Sequence, residues 1–281
     1  MRPLERSVRP QTYDQKAMPP EEQAAAAIEL EGVAKEFGSQ RVLDGVDFAV
    51  PAGAITVLLG PSGAGKTVTI KHILGLLKAD DGVVRVRGED LAEISEEQLY
   101  EVRRGMSVVL QGALPFTCGL FYSLSVYENV AYGLRERKNW SEEQIDRVTR
   151  DALRMVGLLD HAERMPQDLS GGEAKRTALA RALALESGIL IIDDLDAGLD
   201  SVRLSLLVEI IREAQEDTDC TVLVSTHDMD VARDLADHVA VIHQGRIVAS
   251  GPAQEVLASQ EPFVRQFVGG ETTGPLQLRD T

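Results

Sequence analysis

Apolar residues fall along this chain in two rhythms. Continuous runs at Ala54–Leu59, Met106–Leu110, Ile189–Ile192 and Thr221–Thr226 read as strands covered on both faces, as in a parallel sheet. Residues Gly82–Gly88 alternate at period two and predict a half-exposed strand. Ile28–Phe37 and Val46–Val50 read as strands linked through turns at Gly38 and Asp44-Gly45. Val239–Ile242 and Arg246–Ala249 read as a hairpin across Gln244-Gly245. Helical spacing appears at Val68, Ile70, Ile73, Leu74 and Leu77, then at Ile145, Val148, Ala152, Leu153 and Val156. It returns at Leu206, Leu207, Ile210, Ile211 and Ala214, on a helix that Asp200 caps. Ser95 with Gln98 and Ser141 with Gln144 form capping boxes that open two more helices. Strands alternating with helices predict an α/β core, and the helical block Val126–Leu158 reads as a small subdomain inserted into it.

Residues 1–26, rich in Pro, Gln, Glu and Ala without apolar periodicity, read as a flexible N-terminal tail. The main domain then spans 27–260, with the helical subdomain at about 112–170 and a C-terminal extension at 261–281. The chain has 281 residues, 29 Lys and Arg against 45 Asp and Glu, and a net charge of −16. So acidic a surface repels phosphate backbones and anionic headgroups, which argues against nucleic acid as a partner. No apolar run approaches the ~20 residues that span a bilayer, and the N-terminus shows no signal-peptide hydrophobic region. Cys118 and Cys220 belong to no metal-spaced or redox pair, which fits a reducing compartment.

The chemistry gathers at strand ends. Gly60-Pro61-Ser62-Gly63-Ala64-Gly65-Lys66-Thr67 fits the phosphate-binding pattern G-x-x-x-x-G-K-[ST]. Its glycines let backbone N–H groups turn inward on phosphate oxygens, Lys66 supplies positive charge, and the Thr67 hydroxyl can ligate Mg²⁺. A strand before it and a helix after it make this a nucleotide-phosphate site. Asp193-Asp194 end an aliphatic strand, where doubly wound sheets place their chemistry, although Asp is also common in turns. His227 stands at another strand end, where a lone His is usually structural. Ser170-Gly171-Gly172-Glu173 opens the helix Ala174–Leu185 and taken alone reads as an ordinary N-cap, though an anion-receptive one. Phe37, upstream of the phosphate loop, reads as an adenine platform in preference to partial core. The passage Ala113–Tyr122 is apolar and aromatic but broken by Pro and Gly, so it is either a loop folded into the core or an exposed docking surface.

With Gln111, Ser170-Gly171-Gly172-Glu173, Asp193-Asp194, Ala197-Gly198-Leu199-Asp200 and His227 following the phosphate loop in this order, the chain resembles the ATP-binding cassette (ABC) ATPases from about Ile28 to Leu257. Within them it looks closest to the ATPase subunits of the Mce/Mla-type lipid-trafficking group, on Gly112-Ala113-Leu114, Val126–Glu136, Val264–Phe267 and Gly274-Pro275. The resemblance implies a P-loop NTPase core of mixed, mainly parallel sheet with flanking helices, an antiparallel β edge and an inserted helical subdomain. It implies ATP and Mg²⁺ as cofactors and an ATP sandwich between two copies of the chain. Gly60 to Thr67 would hold the phosphates and Phe37 the adenine, with Thr67, Gln111 and Asp193 around Mg²⁺. Ser170, Gly171, Gly172 and Glu173 of the second copy would close over the γ-phosphate. Lys66, Asp194 and His227 form the implied catalytic set, Asp194 polarising the attacking water. The implied partners are integral membrane permease subunits, with the chain peripheral on the cytoplasmic face of the cell membrane and the transported substrate a lipid by that resemblance alone.

Two departures qualify this expectation. Asp194 stands where the family has Glu, which withdraws the carboxylate by about 1 Å, a shift that can cost on the order of 100-fold in rate. Leu195-Asp196 replaces the family's usual Pro-Thr, which allows the local backbone to shift. Residues Pro115–Gly119 look like an insertion where ABC transporters receive a helix of the membrane subunit. An alternative expectation is therefore a nucleotide-gated regulatory module with weak or no hydrolysis. A non-transport cassette is disfavoured, since such chains usually carry tandem cassettes or basic linkers.

Overall fold

A computed structural model describes residues 26–110, 119–136 and 140–275 of the chain. The expectations for the N-terminal tail before Ala26, for Gln111 and for Pro115–Cys118 lie outside the described residues.

The described residues open with three strands, β1 (Ala26–Phe37), β2 (Gln40–Pro51) and β3 (Ile55–Leu59), followed by α1 (Lys66–Ile73), β4 (Asp81–Val86), β5 (Glu89–Asp90), α2 (Glu96–Arg104) and β6 (Met106–Val109). Next come α3 (Val126–Arg135), α4 (Glu142–Met155) and α5 (Gly171–Ala184), with short 3₁₀ turns at Leu159–His161 and Pro166–Asp168 before α5. The last third alternates β7 (Ile189–Ile192), α6 (Ser201–Thr218), β8 (Thr221–Thr226), α7 (Met229–Leu235), β9 (His238–His243) and β10 (Arg246–Pro252), ending in α8 (Ala253–Leu257) and α9 (Pro262–Gly269).

These strands form two sheets. One runs β2-β1-β4-β5 and is antiparallel throughout. The other runs β10-β9-β3-β8-β7-β6 and is parallel except for the edge strand β10. In the second sheet the apolar runs serve both faces. Val57, Leu59, Leu190, Ile192, Val222 and Val224 face a core shared with α5, α6 and α7. Leu58, Ile191, Leu223 and Ala240 face the opposite core, filled by α1 and the antiparallel sheet. All four residues of β7 are buried, and each is worth about 1.5–3 kcal/mol relative to exposure. That burial fixes register, because a slip of one residue would exchange the two faces and draw Asp193 into the sheet.

A third core joins Val126, Val130, Leu134, Ile145, Leu153 and Leu158 to Ala180 and Ala184 of α5. It is the helical block expected between the β-rich halves. Capping boxes open α2, α3, α4 and α5 at Ser95, Ser125, Ser141 and Ser170; each supplies the first-turn N–H groups with acceptors that the helix itself lacks. Gln244 and Gly245 both adopt positive φ between β9 and β10, as a tight hairpin turn requires.

Two local expectations change. Asp44-Gly45 is no turn: β2 runs through it, with Gly45 at φ 70°, and only the stretch after Phe37 turns the chain. Pairing with β1 carries the strand across, and a glycine there absorbs the irregular register. On α6 the buried stripe is Leu204, Leu207, Val208, Ile211 and Ala214, while Leu206 is 49% exposed.

Candidate functional site

The parallel pairing of β3, β8 and β7 sets their C-terminal ends side by side. From these ends come the phosphate loop, His227 and the Asp193-Asp194 pair. Loop and strand are tied directly, since Gly60 N–H donates to the Thr226 carbonyl at 3.3 Å, beside His227.

Two positions in the loop cannot carry a side chain. A Cβ on Gly60 would lie 2.3 Å from the Ile242 carbonyl, and Gly65 combines φ 113° with a Cβ position 2.9 Å from Leu43 Cδ2. Gly65 is also the N-cap of α1, so the loop delivers its N–H groups at the positive end of a helix. Lys66 Nζ donates to the carbonyls of Gly60 at 2.6 Å and Pro61 at 2.9 Å. Burial pulls its pKa down, and Asp194, Asp196 and Asp193 only partly oppose that pull. A buried ammonium held by two neutral carbonyls gains when an anion arrives.

Thr67, in the first turn of α1, donates its hydroxyl to Asp193 Oδ1 at 3.2 Å. Ser225 donates to the same oxygen at 2.6 Å. Asp193 is 1% exposed, and its Oδ2 has no partner. An orphaned, buried carboxylate oxygen next to a threonine hydroxyl is a donor set suited to a hard cation such as Mg²⁺. Gln111, the third expected ligand, is outside the described residues.

Asp194 differs in kind. Its φ is 58°, in the left-handed region. Its N–H donates to Ser225 Oγ at 2.9 Å, and its carbonyl accepts from Lys175 Nζ at 2.6 Å. The next residue, Leu195, donates its N–H to the Ser225 carbonyl at 3.0 Å. Proline could not make that bond and would steer residue 194 toward extended backbone. Leu195 thus permits the turn that Pro would oppose. Burial, then the neighbouring Asp196, raises the Asp194 pKa against the pull of Lys175 and Lys66.

His227 meets both carboxylates: its Nδ1 is 2.7 Å from Asp196 Oδ2 and 3.9 Å from Asp194 Oδ1. The Ser170–Glu173 stretch is a closed capping box, with Glu173 also 3.0 Å from His161. A Cβ on Gly172 would come 3.3 Å from Leu199 Cδ2, so glycine lets α5 approach the segment before α6. Phe37 ends β1 with 47% of its surface exposed and Lys35 Nζ 5.8 Å from its ring centroid. The aromatic passage splits. Leu120 is buried, while Phe121 and Tyr122 are exposed, and the Phe121 ring stands 4.9 Å from Tyr132.

Sequence reasoning missed Lys175, Ser225 and Asp196. Lys175 is buried and also donates to the Ala197 carbonyl at 3.2 Å. The available signal was polarity where burial was certain, at the end of an apolar strand and on the inner face of α5, since buried polar groups seek partners.

The family model described as ABC transporter matches residues 43–197. The chain belongs to the ABC transporter family. It is an ATP-binding ATPase subunit of that family. It is 38% identical over 254 residues to the probable ribonucleotide transport ATP-binding protein mkl of Mycobacterium leprae, covering 90% of this chain and 72% of that one. It is 36% identical over 259 residues to the intermembrane phospholipid transport system ATP-binding protein MlaF of Escherichia coli, covering 92% and 94%. Among solved structures it resembles the ATP-binding cassette MJ0796 in a dimeric post-hydrolysis state with ADP and Pi, at TM-score 0.73 and 27% identity, covering 81% and 99%. The glycine-rich loop after β3 and the carboxylates after β7 lie on either side of β8, at the same end of the sheet. Among the described residues, no helix is long and apolar enough to cross a membrane.

Proposed function

We propose that two copies of this chain sandwich ATP and hydrolyse it to drive lipid movement through a separate membrane permease, with the chain held peripherally at the cytoplasmic face. The observation that carries the nucleotide half is the pairing of a buried Lys66 on loop carbonyls with the unpartnered Asp193 Oδ2. The lipid half rests on similarity to the phospholipid-transport protein MlaF.

In this reading the γ- and β-phosphates take over the donors of the Gly60–Thr67 backbone, and Lys66 exchanges two carbonyls for phosphate oxygens. Thr67 and Asp193, with Gln111, would hold Mg²⁺, which when bound neutralises charge on the phosphates. Phe37 stacks on adenine. Ser170, Gly171, Gly172 and Glu173 of the second copy bring their helix N-terminus over the γ-phosphate. Asp194 orients the attacking water. The exposed Phe121–Tyr132 pair, with Arg181 5.8 Å over the Phe121 ring, offers an aromatic seat for a helix of the permease.

The test is to co-purify the chain with its membrane partner in detergent, identify bound lipid, and measure phosphate release with and without the partner. Lipid in the complex and turnover raised by the permease support the reading. Changing Phe121 and Tyr132 to Ser is expected to weaken permease capture about tenfold with ATP affinity intact. Loss of ATP binding in that variant would make the aromatics core instead. A second reading, a nucleotide-gated regulator with slow hydrolysis, is favoured by one observation, the short Asp194 side chain on a left-handed backbone. ATP-dependent pairing without permease-stimulated turnover would select it.

A further inference from the structure

Asp196 occupies a position for which the ABC pattern gives no catalytic part. Its side chain is 6% exposed, yet no cationic Lys or Arg is bonded to it among the described residues. Both of its oxygens are instead turned toward the end of β8. Thr226 donates its hydroxyl to Asp196 Oδ1, and the Asp228 N–H donates back to Thr226 Oγ1 at 2.9 Å. The other oxygen, Oδ2, lies 2.7 Å from His227 Nδ1. One ligand atom each of Asp194, Asp196 and His227 lies within 4.8 Å of the others. The His227 side chain is itself 54% exposed, and no described group bonds to its Nε2.

A carboxylate accepts and does not donate. Two lone pairs at 2.7 Å repel, so this contact favours the ring tautomer that carries its proton on Nδ1, and in that neutral ring the lone pair belongs to Nε2. Thr226 prevents Asp196 from swinging away. The backbone at Thr226 is bonded to Gly60, the first residue of the phosphate loop, so the ring is anchored beside the phosphates.

We propose that Asp196 is a positioning residue that fixes His227 in its Nδ1–H form, making Nε2 the proton acceptor for the attacking water in place of the withdrawn Asp194. This deepens the hydrolytic reading of the same site and rests on it. The water oxygen forms its bond to the γ-phosphorus as the bond from that phosphorus to the β–γ bridging oxygen breaks. The bridging electron pair leaves on ADP. The water proton passes to Nε2, giving an imidazolium stabilised by Asp196 and Asp194, and then leaves to solvent as phosphate departs. Asp194 remains to orient the water.

The experiment uses the full chain. On ¹⁵N-histidine-labelled protein without nucleotide, at alkaline pH, imidazole ¹⁵N shifts read the tautomer of His227. The expected signature is a protonated Nδ1 and a bare Nε2 that reverses or averages in Asp196→Asn. In the permease complex, Asp196→Asn is expected to lower kcat on the order of 10- to 100-fold with ATP affinity unchanged. Added to His227→Ala, it is expected to cost less than about twofold more, because residues acting as one unit are not additive. Asp194→Asn is expected to keep more turnover than His227→Ala. A protonated Nε2 in the parent chain overturns the proposal, as does a full additional loss in the double variant. If the parent complex hydrolyses no ATP, the ATPase reading fails, and the tautomer measurement still decides the role of Asp196.

Discussion

At the ends of β3 and β7 the backbone leaves the sheet by two different devices. After β3, positive φ falls on Gly63 and Gly65, where it costs no Cβ clash, and the loop is left with donors waiting for a ligand. After β7 it falls on Asp194, where the left-handed backbone costs about 1–2 kcal/mol. Ser225, Lys175 and the Leu195 N–H hold that turn from three directions. One device is permissive and built to receive; the other is strained and built to place a carboxylate. The difference teaches that the conformation of the proposed phosphate loop needs only glycines in its own sequence, whereas that of the turn carrying Asp194 is held by side-chain and backbone bonds from β8 and α5.

The widest separation between the two devices is expected from Lys66→Ala. The turn after β7 should be untouched, while ATP affinity measured by calorimetry falls at least on the order of 100-fold, because the charge-assisted contacts to the phosphates disappear. The nucleotide-free variant should fold at least as stably as the parent. The sign follows from the depressed Lys66 pKa: the folded state holds that proton less tightly than the unfolded chain, so the charged form costs stability at neutral pH. Retained affinity would mean that the cradle works through its backbone alone.

The converse change is Leu195→Pro. It removes the N–H bond to Ser225 and presses Asp194 toward extended backbone. The expected cost is about 2 kcal/mol, or roughly 5 °C in Tm for a chain of this size, with ATP affinity unchanged. A variant as stable as the parent would show that the turn after β7 is as permissive as the loop, and the contrast would fail.

The same contrast explains what the sequence disclosed. The phosphate loop, β3 and α1 are legible because glycines, an apolar run and helical spacing all act within one short stretch. The capping boxes at Ser95 and Ser141 are legible for the same reason, since Gln98 and Gln144 answer them three residues on. Asp196 was visible as a departure but not as a partner of His227, because their contact joins the ends of β7 and β8, 31 positions apart. Lys175 reaches Asp194 across 19 positions, from a helix whose mix of alanines, leucines and charged residues does not show that this lysine faces inward. The Asp44-Gly45 turn was misread because a dipeptide that ends strands in isolation is overruled when a long neighbour, β1, pairs on both sides of it. Leu206 was misplaced because adjacent apolar residues leave the phase of a helix ambiguous by one position.

Phe37 offers the finest test, because it stands outside both devices. It closes β1 just before the chain turns into β2, and Leu43 of β2 packs against the phosphate loop at Gly65. A large ring nearly half exposed gains less from burial than a core residue does. It is kept in place by the strand beneath it, with Lys35 over its face and tied to Asp80 at 2.7 Å. Stacking of a base on such a ring is worth about 1–3 kcal/mol, so Phe37→Ala should weaken ATP about tenfold, less than loss of Lys66. Phe37→Tyr should restore it, since both rings present the same face. The discriminating readout is inorganic triphosphate, which carries the phosphates and lacks the base. Its affinity should fall with Lys66→Ala and stay constant with Phe37→Ala. If triphosphate weakens in both, Phe37 supports the loop rather than the adenine, and the separation between cradle and platform is lost.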